Sequence, residues 1–295
     1  MMAHVEASRP EIPRSHVVSD DVHGVRLAVH DWGGTGPPLL LAHATGLHGV
    51  VWRPVVPRLR DAGRHVWSFD FRGHGDSSRS PVPYAWERFG DDVATVARHL
   101  GVASDDSLLA VGHSKGAAAL MLAEADAPGT FPRIWAFEPV VIPSEVPLGA
   151  RPDFPLAVGA RKRRARWSSP EEARTSYGSR PPFGRLDPDA LAAYVEHGLR
   201  RRDDGAWELA CTPDDEADMY AHGPAHALWH RLGDIGARVE VVCGADTDAV
   251  TPALGARIVE RLPDATLEVM PGVGHFGPLE DPGAAAASIL AFSLP

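Results

Sequence analysis

The sequence predicts an α/β fold: a doubly wound, mostly parallel sheet with a helical cap inserted between two of its strands. Three observations carry that prediction. Short apolar runs recur at 25–30, 38–43, 65–70, 107–111, 133–137, 239–243 and 266–270, and their lack of polar alternation suits strands covered on both faces. Segments of helical length and spacing separate them, at 84–100, 117–125, 252–262 and 278–292, and alternation of strand and helix implies right-handed parallel crossovers. One stretch, 141–232, breaks the rhythm without a convincing strand.

Ligands in such sheets bind beyond the carboxyl ends of the strands. The fourth run leads directly into Gly112-His113-Ser114-Lys115-Gly116 and then an alanine-rich helix. A chain passing from strand to helix so quickly must turn sharply, which strains the apex residue and leaves no room for side chains two positions away. Glycines at 112 and 116 supply that room, and Ser114 projects from the sheet edge above the free N–H groups of a helix start.

After the fifth run comes Phe137-Glu138-Pro139, and then the strandless stretch. It holds the basic run Arg161-Lys162-Arg163-Arg164-Ala165-Arg166, the Pro181-Pro182 break, and helical segments at 188–200 and 213–221. Such a length without strands, between two strands of one sheet, reads as a helical cap over the active-site edge; the basic run reads as a solvated helix face. The domain organisation expected is therefore a tail at 1–13, a core at 14–140 and 233–295, and a cap at 141–232.

Bulk composition narrows the function classes. The chain has 295 residues, enough for one substantial domain with an insertion, and a formal net charge of -10 that disfavours nucleic acid as a partner. Cys211 and Cys243 are the two cysteines, so a disulfide framework is not expected. The first 13 residues lack the apolar core of a secretory signal, and glycines and prolines interrupt the longest uncharged stretch, 33–52. A cytoplasmic protein acting on a small molecule is expected, with no membrane or nucleic-acid partner; oligomeric state is not legible.

A serine hydroxyl needs a base and a group to orient that base. His275, in Gly272-Val273-Gly274-His275-Phe276 after the last strand, is the candidate base. For the acid, the loop Gly244-Ala245-Asp246-Thr247-Asp248-Ala249-Val250 offers Asp248, just before the next helix, with Asp246 and Glu138 as alternatives. Two backbone donors are needed for an oxyanion: the N–H of Lys115, and that of Thr45 in His43-Ala44-Thr45-Gly46. His43 reads as a hydrogen-bonding post for that loop. Pocket candidates are His43, His113, Trp167, Tyr177, Trp229 and Phe276, with Phe183 and Tyr194 further aromatic residues of the cap. The i, i+4 pair His226 and His230, with His222 one turn earlier, has zinc-ligand spacing, but no thiolate or carboxylate completes a set, so no metal and no cofactor is expected.

The ordered set HATG, DFRGHGDSS, GHSKG, a carboxylate loop and GVGHF resembles the α/β-hydrolase superfamily over about residues 25–292, in particular its capped esterase, lactonase and carbon–carbon hydrolase members. The resemblance implies a Ser114, His275 and Asp248 triad with oxyanion donors at Thr45 and Lys115, and a bracing role for Arg72 and Asp76. It implies a cofactor-independent serine hydrolase of an ester or lactone with an apolar or aromatic part; a carbon–carbon bond hydrolase, or a non-hydrolytic receptor or biosynthetic helper on the same fold, are the alternatives. The sequence departs from the family pattern in its HATG loop, in one extra residue in the carboxylate loop, and in Lys115, whose side chain is expected to face solvent or to steer a polarised substrate.

Overall fold

In the computed structural model, residues 13–20 and 24–293 are described. The chain runs through β1 (Arg14–Asp20), β2 (Val25–Gly33), β3 (Pro38–Ala42), α1 (Val56–Asp61), β4 (His65–Phe69), α2 (Glu87–His99), β5 (Leu109–His113), α3 (Lys115–Asp126) and β6 (Arg133–Phe137). It then builds α4 (Pro155–Arg161), β7 (Arg166–Trp167), α5 (Pro170–Gly178), α6 (Pro188–Gly198), β8 (Leu199–Arg201), β9 (Trp207–Leu209), α7 (Pro213–His222) and α8 (Leu228–Arg231). It returns for β10 (Arg238–Gly244), α9 (Pro252–Val259), β11 (Ala265–Met270), α10 (Gly277–Glu280) and α11 (Pro282–Phe292).

Eight strands form one sheet in the order β1-β2-β4-β3-β5-β6-β10-β11. β1 and β2 are antiparallel to their neighbours, whereas β4, β3, β5, β6, β10 and β11 are parallel. The parallel strands are apolar without alternation because successive side chains enter different cores. In β3, Leu40 and Ala42 join a cluster with Phe89 and Val93 of α2 and Leu120 and Met121 of α3. Leu39 and Leu41 join another, with Leu59 of α1 and Ile289 of α11.

The segment between β6 and β10 carries five helices and a small sheet of order β7-β9-β8. The sequence pattern does not reveal these strands, which are only two or three residues long. Buried Arg53 ties the segment to the core by reaching Asp189 at 2.6 Å and Glu196 at 2.7 Å, both on α6. β1 also escapes prediction, since RSHVVSD is an edge strand with most of its side chains exposed. The expected helix at 278–292 is two helices: Asp281 accepts the Ala284 N–H and Pro282 opens the new turn, so α11 starts afresh. The expected tail falls outside the described residues except for Pro13. Among the described residues, no helix is long and apolar enough to cross a membrane.

Candidate active site

β5 and α3 meet at Ser114, whose φ of 56° and ψ of -113° lie where few residues other than glycine settle. Its flanking glycines are steric necessities. A Cβ on Gly112 would stand 2.4 Å from Ala117 Cα, and one on Gly116 would stand 2.3 Å from the Ala42 carbonyl oxygen. Ser114 is buried, at 6% exposed.

The Ser114 hydroxyl donates to His275 Nε2 at 3.2 Å. The His275 ring lies on the turn after β11, and its backbone carbonyl accepts the His113 Nε2–H at 2.7 Å. The carboxylate that meets His275 is Glu138: its Oε2 is 2.5 Å from Nδ1. Glu138 caps β6 in a second strained conformation, φ 46°, and is fully buried. The Gly244 N–H donates to its Oε1 at 3.0 Å, and the Thr247 hydroxyl and the Val250 N–H donate to Oε2 at 2.9 and 3.4 Å.

This corrects the expectation for Asp248. The loop after β10 turns a hydroxyl and two backbone donors inward to hold the Glu138 carboxylate, and that conformation sends both of its aspartate side chains outward. Asp248 is exposed, and Asp246 faces Arg185 at 3.6 Å on the surface.

His43-Ala44-Thr45-Gly46 follows β3. His43 accepts the Phe71 N–H at Nε2, 3.0 Å, and donates from Nδ1 to the Ala44 carbonyl, 2.8 Å, which makes it the post the sequence suggested. His74 does the same from beneath: its Nε2 accepts the Gly46 N–H at 3.1 Å and its Nδ1 donates to the Arg72 carbonyl at 2.9 Å. Burial pushes both imidazoles well below the usual histidine range. Neutral rings are what these donor and acceptor roles require. The loop thus spends its Gly46 N–H on His74, and the Thr45 N–H has no protein acceptor among the described residues. Lys115, as the first residue of α3, has no helical acceptor for its own N–H.

Arg72 and Asp76 brace the turn after β4. Arg72 pairs with fully buried Asp92 of α2 at 2.6 Å, and the Asp76 N–H donates to Asp70 Oδ2 at 2.8 Å. Lys115 departs from expectation, because its side chain is fully buried with Nζ 4.1 and 4.2 Å above the Phe71 and Phe89 rings and 3.5 Å from His74 Nε2.

The segment between β6 and β10 brings four of the aromatic candidates into one wall. Trp167, Tyr177 and Phe183 follow one another at ring separations of 5.3 and 4.9 Å, with Tyr194 4.7 Å from Phe183. Phe183 leads on at 5.7 Å to Phe276, which lies 5.6 Å from His275 and 5.8 Å from His113. Trp229 is not part of the wall. It packs in the core with Leu228, Ile235 and Leu262, and Arg257 and Arg261 flank its ring. His226 stacks on Trp86 at 5.0 Å, and among the described residues no group of three metal-ligating side chains forms, with His222 and His230 or elsewhere.

Sequence reasoning missed Arg163 and Glu216. The basic run is not a helix face: α4 stops at Arg161, and β7 begins at Arg166. Between them Arg163 turns inward to an ion pair with Glu216 of α7 and to hydrogen bonds with the hydroxyls of Tyr177 at 3.1 Å and Tyr194 at 2.7 Å. Nothing in a string of five cations marks which one faces in.

Known proteins share this arrangement of elements. A 2-(acetamidomethylene)succinate hydrolase of Mesorhizobium japonicum is 27% identical over 271 residues, 90% of this chain and 91% of that one. The crystal structure of E-2-(acetamidomethylene)succinate hydrolase superposes with a TM-score of 0.77 at 22% identity, covering 95% of this chain and 99% of the other. The enol-lactonase from Burkholderia xenovorans does so with a TM-score of 0.70 at 20% identity over 94% and 99%. The model of the alpha/beta hydrolase family matches residues 39–289, and with that match over most of its length the chain belongs to the alpha/beta hydrolase family.

Proposed function

We propose that this hydrolase is a serine hydrolase that cleaves an ester or lactone of a small apolar or aromatic molecule through an acyl-enzyme. The observation that carries the reading is the continuous hydrogen-bonded chain Ser114–His275–Glu138. Glu138, held by three donors besides the imidazole, fixes the tautomer with the proton on Nδ1 and leaves Nε2 free to take the serine proton. Ser114 Oγ attacks the carbonyl carbon as that proton moves to Nε2. The Thr45 and Lys115 N–H groups hold the oxyanion. The imidazolium then protonates the departing oxygen, and a water deprotonated by the same Nε2 releases the acid. The partly exposed Phe276 and Phe183 rings give the leaving group an apolar wall. The lactonase and the succinate hydrolase named above support carbonyl chemistry of this kind on small molecules.

A fluorophosphonate probe tests the nucleophile. Intact protein should gain one adduct mass and the Ser114→Ala protein none; equal labelling of both, or labelling of neither, overturns the proposal.

A further inference from the structure

The ion pair between Arg163 and Glu216 lies against the oxyanion loop itself. Gly46, at φ +76°, has no side chain, and where its Cβ would stand Glu216 Oε1 lies 2.8 Å away and Arg163 Nη1 3.4 Å away. Glu216 is 5% exposed, and the hydrogen bond to Arg163 uses its other oxygen, Oε2. An arginine only donates, so the Tyr177 and Tyr194 oxygens accept from Arg163 and each phenol keeps its own proton to give elsewhere. The cluster over Gly46 therefore offers one carboxylate acceptor and two hydroxyl donors, and its charges sum to zero.

We propose that this cluster reads a neutral amide-type group, one carbonyl and one N–H, carried by the substrate beside the scissile carbonyl. The inference rests on the hydrolase reading above. The substituent belongs to the acyl side, because the leaving group must sit where His275 can protonate it and the carbonyl oxygen points at the loop, which leaves the acyl group on the carbonyl carbon to extend past Gly46. A purely alkyl acyl chain would give nothing to Glu216 Oε1 or to the two hydroxyl protons. A carboxylate would face the Glu216 charge across a short, poorly screened distance, with Arg163 already committed to that charge. An amide satisfies both kinds of group: its N–H donates to Glu216 and its carbonyl accepts from a phenol.

The test compares three 4-nitrophenyl esters of similar length, N-acetylglycyl, pentanoyl and hydrogen succinyl, with the Ser114→Ala protein as the background. Wild-type kcat/KM should favour the N-acetylglycyl ester over the other two by about tenfold or more. In Glu216→Gln the acetylglycyl-to-pentanoyl ratio should fall several-fold, while the succinyl-to-pentanoyl ratio rises, because Arg163 loses its countercharge. Should that variant fail to fold, Tyr194→Phe, with folding followed by circular dichroism, should also lower the acetylglycyl-to-pentanoyl ratio several-fold. Fluorophosphonate labelling of Ser114 combined with a wild-type preference for the pentanoyl or succinyl ester, or with ratios unchanged in the folded variants, overturns the amide assignment alone. No turnover of any ester and no labelling overturns the hydrolase reading and this inference together.

Discussion

Glu138 Oε2 and His275 Nδ1 are 2.5 Å apart, although 137 residues separate them in the chain. They meet because β6 and β10 are parallel neighbours: Glu138 leaves the end of β6 at a positive φ, and the donors that hold its carboxylate come from the end of β10 and the loop after it. Replacing the carboxylate with an amide keeps the shape and removes the charge that orients and stabilises the imidazolium. Glu138→Gln should therefore lower kcat/KM on an activated ester by about 10³ to 10⁴, whereas Asp248→Asn and Asp246→Asn should stay within about twofold, as surface changes do.

The glycines beside Ser114 differ sharply from Gly159 of α4. Gly116→Ala would drive a methyl to 2.3 Å from the Ala42 carbonyl oxygen, a backbone atom of a central strand that cannot yield. A loss of about 3 kcal/mol or more in urea unfolding is expected, with loss of fluorophosphonate labelling. Gly159, in the middle of α4, meets nothing within 4 Å of an added Cβ. Gly159→Ala should instead gain about 0.5–1 kcal/mol from helix propensity and leave labelling intact.

These contrasts show what a linear reading can reach. The parallel strands were legible because burial on both faces writes an unbroken apolar run, and Ser114 and His275 because each sits in a glycine-framed turn at a strand end. The carboxylate that meets His275 was not, since three carboxylates stand near strand ends and the choice among them depends on how the 244–251 loop folds across to Glu138. β1 is an edge strand exposed along most of its length, and β7 to β9 are too short to hold a pattern. Arg163 was hidden inside its own basic run, and the burial of Lys115 follows from the closeness of α2, where Gly90 lets the two helices approach to 3.4 Å of an added Cβ.

Arg72 and Asp92 are both fully buried, with Nη2 and Oδ1 2.6 Å apart and the Arg72 N–H also on Asp92. Removing one charge strands the other. Asp92→Asn should destabilise by about 3–5 kcal/mol, while the double change Arg72→Met with Asp92→Leu should recover most of that loss. The comparison by denaturant unfolding is decisive in sign: a double variant no more stable than Asp92→Asn would show that the pair supports the fold beyond neutralising itself. Activity should fall in both, because the Arg72 carbonyl holds His74 and His74 holds Gly46.

Lys115 presents a buried amine whose near neighbours are two aromatic rings and an imidazole nitrogen at 3.5 Å. Burial pushes its pKa well below the ordinary lysine range, and the weaker pulls of Cys211 and Asp92 do not restore it. In the unfolded chain the same amine titrates near its ordinary value, so between the two values the unfolded state binds a proton that the folded state does not. Stability must then rise with pH across that window. Lys115→Met keeps the volume and the backbone N–H while deleting the amine, so its melting temperature should exceed that of the wild type at pH 7, and the advantage should shrink as pH approaches about 10.4. Fluorophosphonate labelling of Ser114 should persist in the variant. A Lys115→Met protein that melts below the wild type at pH 7, or an advantage that does not change with pH, would mean that the amine is charged in the fold and held there by the Phe71 and Phe89 rings.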